Sequence, residues 1–353
     1  MSHMEITTVI GCRVQCTFCP QTLLMNKYEE KANINKITWG EPVIMGFDTF
    51  KTCIDKLPKD TEIDFSGFAE PWLDPECTKM ILYAYEKGHR ISVFTTLVGM
   101  KKEDVIQIKH VNFEKFVLHL PDKESYAKIA VNQQYIQVLK YLLSSGINNI
   151  TCMCMGTIHP DIQKVIEISF PPDLMISRAG NCDSGVKSSK KSGPLLCGAA
   201  NKNGINILDK NVLLPNGDVC LCCMDYGMEH VLGNLLSSDY ASLFKGEIFQ
   251  EVLKKMNSES SEILCRNCNV AIPATIKKSD KEIDQVAEKY KKIVNLLYNK
   301  ILLRNADTSG LLYYAHMLES KQMSIHDVEQ KLMESPELKW DLEHTPKPLK
   351  RLV

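Results

Sequence analysis

The chain has 353 residues, a net charge of −1 and 44% hydrophobic residues. That length allows two or three domains with a sizeable core, and the near-neutral balance argues against a protein that coats nucleic acid or a membrane surface. No apolar run reaches the length of a membrane span and no secretory segment precedes the first strand, so a cytoplasmic protein is expected.

The opening MSHM reads as a cloning scar and is set aside. EITTVI (5–10) is the first strand candidate, and GCRVQCTFCPQ (11–21) follows it directly, placing Cys12, Cys16 and Cys19 in one short segment. A disulfide would join only two of these and strain the chain between them. A closed mononuclear metal site needs four ligands, so three cysteines leave a vacancy. Further strand candidates are 62–67, 91–96, 115–120, 149–155 and 173–177. Helical patterns lie between them at 47–57, 78–87, 102–109, 126–145 and 161–169. Six alternations predict an α/β fold with a parallel sheet, a partial (β/α)6 TIM-like barrel open on one side. In such a barrel the loops at the carboxyl ends of the strands build the active site. Those loops carry the three cysteines, GFAEP (67–71), TTLVG (95–99), HLPD (119–122), CMGT (154–157) and SRAGN (177–181).

The polar stretch 181–194 has loop composition and marks a boundary. Beyond it, apolar alternation around PNGD (215–218) predicts a β-hairpin. A helical stretch near 240–256 and the CRNC pair (265–268) follow. From Asp280 the pattern is helical and charged, and Ser324 with Asp327 reads as a helix start of the capping-box kind. Fourteen cysteines without a signal peptide point to metal or redox chemistry before disulfides. Cys53 and Cys77 stand singly in helical patterns and read as small buried hydrophobes.

Cys12-x3-Cys16-x2-Cys19 behind a first strand resembles the radical S-adenosylmethionine superfamily. The resemblance implies a 4Fe–4S cluster on the three thiolates, with S-adenosylmethionine filling the vacancy. SGFAEP (66–71) resembles the family segment that contacts the cofactor's amino group, with Ala69 where a glycine is usual and Glu70 accepting from the ammonium. It also places Phe18, Gly67, Thr95, His119, Met155 and Arg178 at the cofactor, with His119 and Arg178 as catalytic candidates. A core histidine and an inter-domain ion pair are the rival readings of those last two. Residues 197–268 resemble a SPASM or twitch extension that binds one auxiliary 4Fe–4S cluster through Cys197, Cys222, Cys265 and Cys268. Cys220 and Cys223 are adjacent alternatives to Cys222, and a zinc-ribbon-like brace is the rival for the whole set. The domains expected are a barrel over 5–180, a hairpin/helix cluster-binding domain over 181–275 and a helical extension over 276–353.

Residues 305–338 resemble a small helical module found beside glycan-related proteins, and no room for a leader-peptide domain is expected before Cys12. Both favour a carbohydrate-like small molecule over a peptide. The reading is an enzyme that cleaves S-adenosylmethionine reductively to a 5′-deoxyadenosyl radical, abstracts hydrogen from a substrate carbon, and oxidises a sugar-like or cyclitol-like substrate with the auxiliary cluster as electron acceptor. A flavodoxin or ferredoxin would supply the reducing electron; no nucleic acid or membrane partner is expected. The alternatives are a radical epimerase of a sugar or peptide, a peptide-modifying enzyme, and a non-enzymatic iron–sulfur or zinc scaffold.

Overall fold

The structure is a computed structural model that describes all residues except 1, 167–172, 174–175, 183–189, 203–204, 275–279, 303–305, 307, 320–322 and 336–353. The chain divides into two compact units, Met1–Glu167 with Pro172–Thr275, and Ile168–Pro171 with Ile276–Val353.

The first unit is organised by an eight-stranded sheet. Its strands are β1 (His3–Ile6), β2 (Glu62–Phe65), β3 (Arg90–Thr95), β4 (Phe113–His119), β5 (Ile150–Met153), β6 (Lys210–Leu213), β7 (Asp218–Cys220) and β8 (Val231–Asn234). Their spatial order is β8-β7-β6-β1-β2-β3-β4-β5. The run from β1 to β5 is parallel, and β6 joins it by pairing parallel to β1. The fold is therefore α/β, a partial barrel whose sheet is prolonged by the hairpin of the cysteine-rich segment. Helices α1 (Gln21–Ala32), α2 (Phe47–Ile54), α3 (Cys77–Glu86), α4 (Lys102–Ile108), α5 (Gln133–Leu143) and α6 (Pro160–Ile166) fall in the crossovers, and α7 (Glu247–Met256) follows β8. Met4, Ile6, Ile63, Phe65, Ile91, Val93, Phe116 and Leu118 are fully buried in the strands. Because side chains alternate between the faces of a sheet, Glu5, Asp64 and Ser92 lie on the opposite face of β1, β2 and β3 from these residues, and Asp64 and Ser92 are buried there too.

The structure differs from the sequence expectation at several points. His3 and Met4 begin β1, with Met4 fully buried, so the opening residues belong to the fold. The 5–10 run breaks after Ile6, and Val9–Ile10 pairs instead with Val43–Ile44. The periodicity predicts no helix over 21–32, yet α1 forms there, burying Leu24, Met25 and Tyr28. Helix α5 starts only after Asn132, whose side chain accepts from the Tyr135 amide at 2.9 Å. The 240–256 stretch is a short 3-10 turn, Tyr240–Phe244, and then α7, broken at Gly246. The sixth strand expected over 173–177 lies partly outside the described residues, and Asp173, Met175's neighbour Ile176 and Ser177 pair into no strand. The end of the 161–169 helical pattern also lies outside them.

The second unit holds α8 (Asp280–Leu302), α9 (Thr308–Glu319) and α10 (Ile325–Met333) around a core that includes Val294, Ile301, Ala315, Leu318, Val328 and Leu332. The capping box at α10 is present: Ser324 Oγ accepts from the Asp327 amide at 3.1 Å, and the Ser324 amide donates to Asp327 Oδ2 at 2.7 Å. Among the described residues no helix is long and apolar enough to cross a membrane.

Candidate active site

A cavity of about 350 Å³ opens at the carboxyl ends of the parallel strands, where barrel enzymes place their chemistry. Cys12, Cys16, Cys19, Phe18, Gly67, Glu70, Thr95, His119, Met155 and Arg178 all line it. They come from loops far apart in sequence, so the parallel topology is what brings them together.

The three thiols sit on the loop after the Val9–Ile10 strand. Gln21, at the start of α1, organises that loop: its Oε1 accepts from the Cys12 amide at 3.4 Å, and its Nε2 donates to Cys19 Sγ at 3.4 Å and to the Phe68 carbonyl. The Glu70 amide donates to Cys12 Sγ at 3.5 Å, and the Cys19 thiol reaches Tyr226 Oη at 3.4 Å. Burial pushes the Cys12 thiol up to about 12, with the neighbouring Cys19 adding to the effect, and Cys16 is raised by burial and by both other cysteines. Thiols in electrostatic reach of one another, with Cys12 and Cys16 held protonated by burial and by their neighbours, form a donor set that a bound cationic centre would stabilise as thiolates. Amide and side-chain donors already directed at sulfur are the outer-shell contacts such a centre uses. The residues present thus fit an iron–sulfur group.

Gly67 has φ of +48°, and a Cβ there would meet Thr7 Oγ1 at 2.4 Å and the Ile6 carbonyl carbon at 2.8 Å, so this turn demands glycine. Glu70 is held from within the chain. Its carboxylate takes hydrogen bonds from the Trp72 amide (3.2 Å), Thr95 Oγ1 (2.8 Å), the Thr96 amide (2.5 Å) and Thr96 Oγ1 (2.6 Å). Four donors fill a carboxylate's acceptor sites. Burial raises its pKa while those donors work against the shift. In this conformation Glu70 caps the Pro71–Leu73 turn and ties it to the end of β3, and Thr95 is one of its supports.

On the opposite wall, His119 stacks on Phe18 with ring centroids 5.3 Å apart. Burial, reinforced by the charge of Arg178, lowers it to about 4 against the pull of Asp122, so it is neutral at pH 7. Its Nε2 is buried, with no hydrogen-bond partner among the described residues. Arg178 stands at φ +48° and Ala179 at +57°, two non-glycine residues in the left-handed region. That turn is held by the Gly180 and Cys182 amides on the Ser177 carbonyl and by Ser177 Oγ on Asn269. The guanidinium lies 6.0 Å from the Tyr226 ring centre, and its Nε is buried with no partner among the described residues. Met153 joins Met155 on the cavity wall, while Cys154, the residue between them, is fully buried.

Sequence reasoning missed Glu5, Asp64, Ser66 and Tyr226, which line the same space as Cys223. Glu5 and Asp64 are register partners on β1 and β2, and Asp64 Oδ2 is 3.1 Å from His3 Nε2. The available signal was a carboxylate interrupting each of two short buried strands, HMEI and EIDF.

The second cysteine set lies around the chain crossing at 195–197 and 271–273, where Cys197 pairs with Ala271. Cys265 and Cys268 follow on a tight turn, with the Cys268 amide on the Cys265 carbonyl at 3.2 Å. Cys265 is raised to about 12 by burial and then by Cys268 and Cys197, and Cys222 is raised by burial, with Cys265 among its neighbours. Cys197, Cys265 and Cys268 are thus in electrostatic reach of one another, and Cys222 feels Cys223 first and Cys265 after it. Cys220 packs instead in the apolar core with Val212 and Tyr28, and Cys223 turns towards Glu5 and Arg178. Arg266, 1% exposed, donates to the carbonyls of Gly193 (2.6 Å), Ser258 (2.6 Å) and Lys191 (3.2 Å) and so fixes the loops that surround the set.

Residues 207–269 match the SPASM family, an iron–sulfur cluster-binding domain, and residues 279–341 match a domain of unknown function, DUF4214. No curated protein matches. Among solved structures, BtrN in complex with AdoMet and 2-DOIA aligns with a TM-score of 0.51 at 16% identity, over 76% of this chain and 93% of that one. Native anSMEcpe with bound AdoMet gives 0.45 at 11% identity, over 76% and 86%. Streptococcus suis SuiB bound to precursor peptide SuiA gives 0.46 at 14% identity, over 76% and 69%. The overlay on BtrN speaks for the fold, and the family match for the cysteine-rich segment.

Proposed function

We propose that this chain, a SPASM domain on a radical S-adenosylmethionine fold, oxidises a hydroxyl-bearing carbon of a sugar-like or cyclitol-like small molecule. The observation that carries the reading is the single cavity that joins Cys12, Cys16 and Cys19 to Arg178, His119 and the Cys223–Tyr226 turn of the second cysteine segment. Cys12, Cys16 and Cys19 would hold the first 4Fe–4S cluster, and Cys197, Cys222, Cys265 and Cys268 the auxiliary one. The 67–70 turn, Phe18, Thr95 and Met155 would hold S-adenosylmethionine. When bound, these groups supply the hydrogen-atom acceptor and the electron acceptor, which is the part of the chemistry a protein side chain cannot provide.

The chain's own share is to bind, orient and exclude water. Phe18, Phe68, Phe94, Met153 and Met155 give the cavity apolar walls. The rigid turn at 177–180 presents Arg178 with an N–H to spare, suited to a substrate oxygen. That BtrN was solved with AdoMet and a small molecule agrees with this reading at the level of fold. A flavodoxin or ferredoxin would deliver the reducing electron.

The test is anaerobic reconstitution with dithionite. We expect 5′-deoxyadenosine from S-adenosylmethionine, and with a polyol substrate a product lighter by two hydrogens. No 5′-deoxyadenosine, or undiminished formation after Cys16→Ala, would sink the reading. Epimerisation is the second reading, favoured by one observation: Cys223, outside the fourfold set, lines the cavity as a possible hydrogen donor. It predicts unchanged formula with one solvent deuterium.

A further inference from the structure

The geometry points to Glu5 as the proton acceptor in the cavity, taking the hydroxyl proton of the substrate carbon that Arg178 holds by its oxygen. This rests on the oxidation proposed above. Converting an alcohol to a ketone removes one hydrogen atom and one electron, which S-adenosylmethionine and the oxidised auxiliary cluster take up under that function. It also removes one proton from oxygen, and the chain must supply a base for it. The proton's bond to oxygen breaks, one to the Glu5 carboxylate forms, and solvent later receives it.

The two candidates named from sequence are poor bases. Arg178 is a guanidinium raised further by the anionic and sulfur groups around it, and His119 is pushed down to about 4, chiefly by burial. Glu5 is the opposite case. It lies on the cavity wall, next in register to Asp64, whose Oδ1 is buried with no partner among the described residues while Oδ2 is held by His3. Burial, and then the charge of Asp64, raise Glu5 to about 7; His3, Cys223 and Ser66 pull the other way. Such a group accepts a proton at neutral pH and can release it again. Arg178 and Glu5 feel each other's charge, yet no ion pair between them forms among the described residues. A hydroxyl between the two would meet a donor for its oxygen on one side and an acceptor for its proton on the other. Asp64 and His3 are positioning residues in this scheme, since they act by setting the basicity of Glu5.

Two measurements on the reconstituted full chain decide it. The first is an infrared pH titration with 13C-labelled glutamate. We expect one carboxyl titrating near neutrality, absent in Glu5→Gln and moved down in Asp64→Asn, where a like charge is removed. Titration of Glu5 in the ordinary carboxylate range, or one that ignores Asp64→Asn, overturns the proposal whatever the substrate. The second uses carbon-perdeuterated myo-inositol and glucose as probes, with deuterium in 5′-deoxyadenosine as the internal reference. Ketone formed per labelled 5′-deoxyadenosine should fall at least tenfold in Glu5→Gln and recover in part in Glu5→Asp. An unchanged ratio overturns the proposal. If neither probe transfers deuterium in the unmodified protein, the failure counts against the sugar-like substrate, and the titration alone decides the role of Glu5.

Discussion

The two cysteine sets are built on different plans. The first places three thiols within eight residues of a single loop, and the loop borders a cavity. The second draws four thiols from three separate segments and closes them in with Arg266 and the pairing of Cys197 to Ala271. A set with an open position serves ligand chemistry, and a closed fourfold set serves structure or electron transfer, by the same logic that separates catalytic from structural metal sites. Among the described residues, Cys223 and Tyr226 are the ones that reach from the second segment to the cavity. Tyr226 stands over Phe68 and against Cys19, so it is where the two plans meet.

The largest expected effects test whether the two sets are independent. Replacing Cys12, Cys16 and Cys19 together by alanine should abolish 5′-deoxyadenosine formation and lower bound iron from about eight to about four atoms per chain, measured by iron analysis after anaerobic reconstitution. Loss of all iron would show that the second set cannot assemble alone. Cys265→Ala with Cys268→Ala should also remove about four irons. Here S-adenosylmethionine cleavage should persist while oxidised product falls below detection, because the electron acceptor has gone. Product at the original yield would remove the second cluster from the reaction.

Their legibility in the sequence differs for the same structural reason. Cysteines on one loop keep their spacing in the chain, so the cluster of Cys12, Cys16 and Cys19 could be read directly. In the second segment Cys220, Cys222 and Cys223 are too close in sequence to be told apart, and only packing shows that Cys220 lies in the apolar core and Cys223 at the cavity. The parallel order of β1 to β5 followed from alternating patterns, but the parallel joining of β6 to β1 is a tertiary pairing with no local signature. Glu5 and Asp64 were invisible for a related cause: each is an acid in a short strand with no motif around it, and their adjacency arises from register. Glu70 shows the converse. Its motif was legible, yet its four hydrogen bonds to Trp72, Thr95 and Thr96 depend on the end of β3 lying beside it.

A smaller effect probes what closes the second set. Arg266→Ala would leave the part-buried carbonyls of Gly193 and Ser258 without their donor, at a cost of about 1–3 kcal/mol. Thermal unfolding should show the loss, and iron content should drop from the second set in parallel. Arg266→Lys should not restore it, since one ammonium cannot span the carbonyls that the planar guanidinium reaches. Full stability in Arg266→Ala would mean that the cysteine set holds its loops unaided.

The smallest effect belongs to the first site alone and is read through pH. His119 is lowered to about 4, mainly by burial, from an ordinary value of 6.5. Its unfolded form therefore binds more protons than the folded form between those values, and stability must fall as pH drops through 6.5 towards 4. At pH 5 the deficit is about 2 kcal/mol relative to pH 8, by linkage. His119→Gln keeps a polar ring-sized neighbour for Phe18 but cannot titrate, so its denaturation midpoint should be flatter across this window than that of the unmodified chain. The comparison should be made on urea midpoints at constant ionic strength, at pH 5 and pH 8. An identical acid limb in both proteins would show that His119 is not held neutral by its place against Phe18 and Arg178, and would assign the limb to other groups.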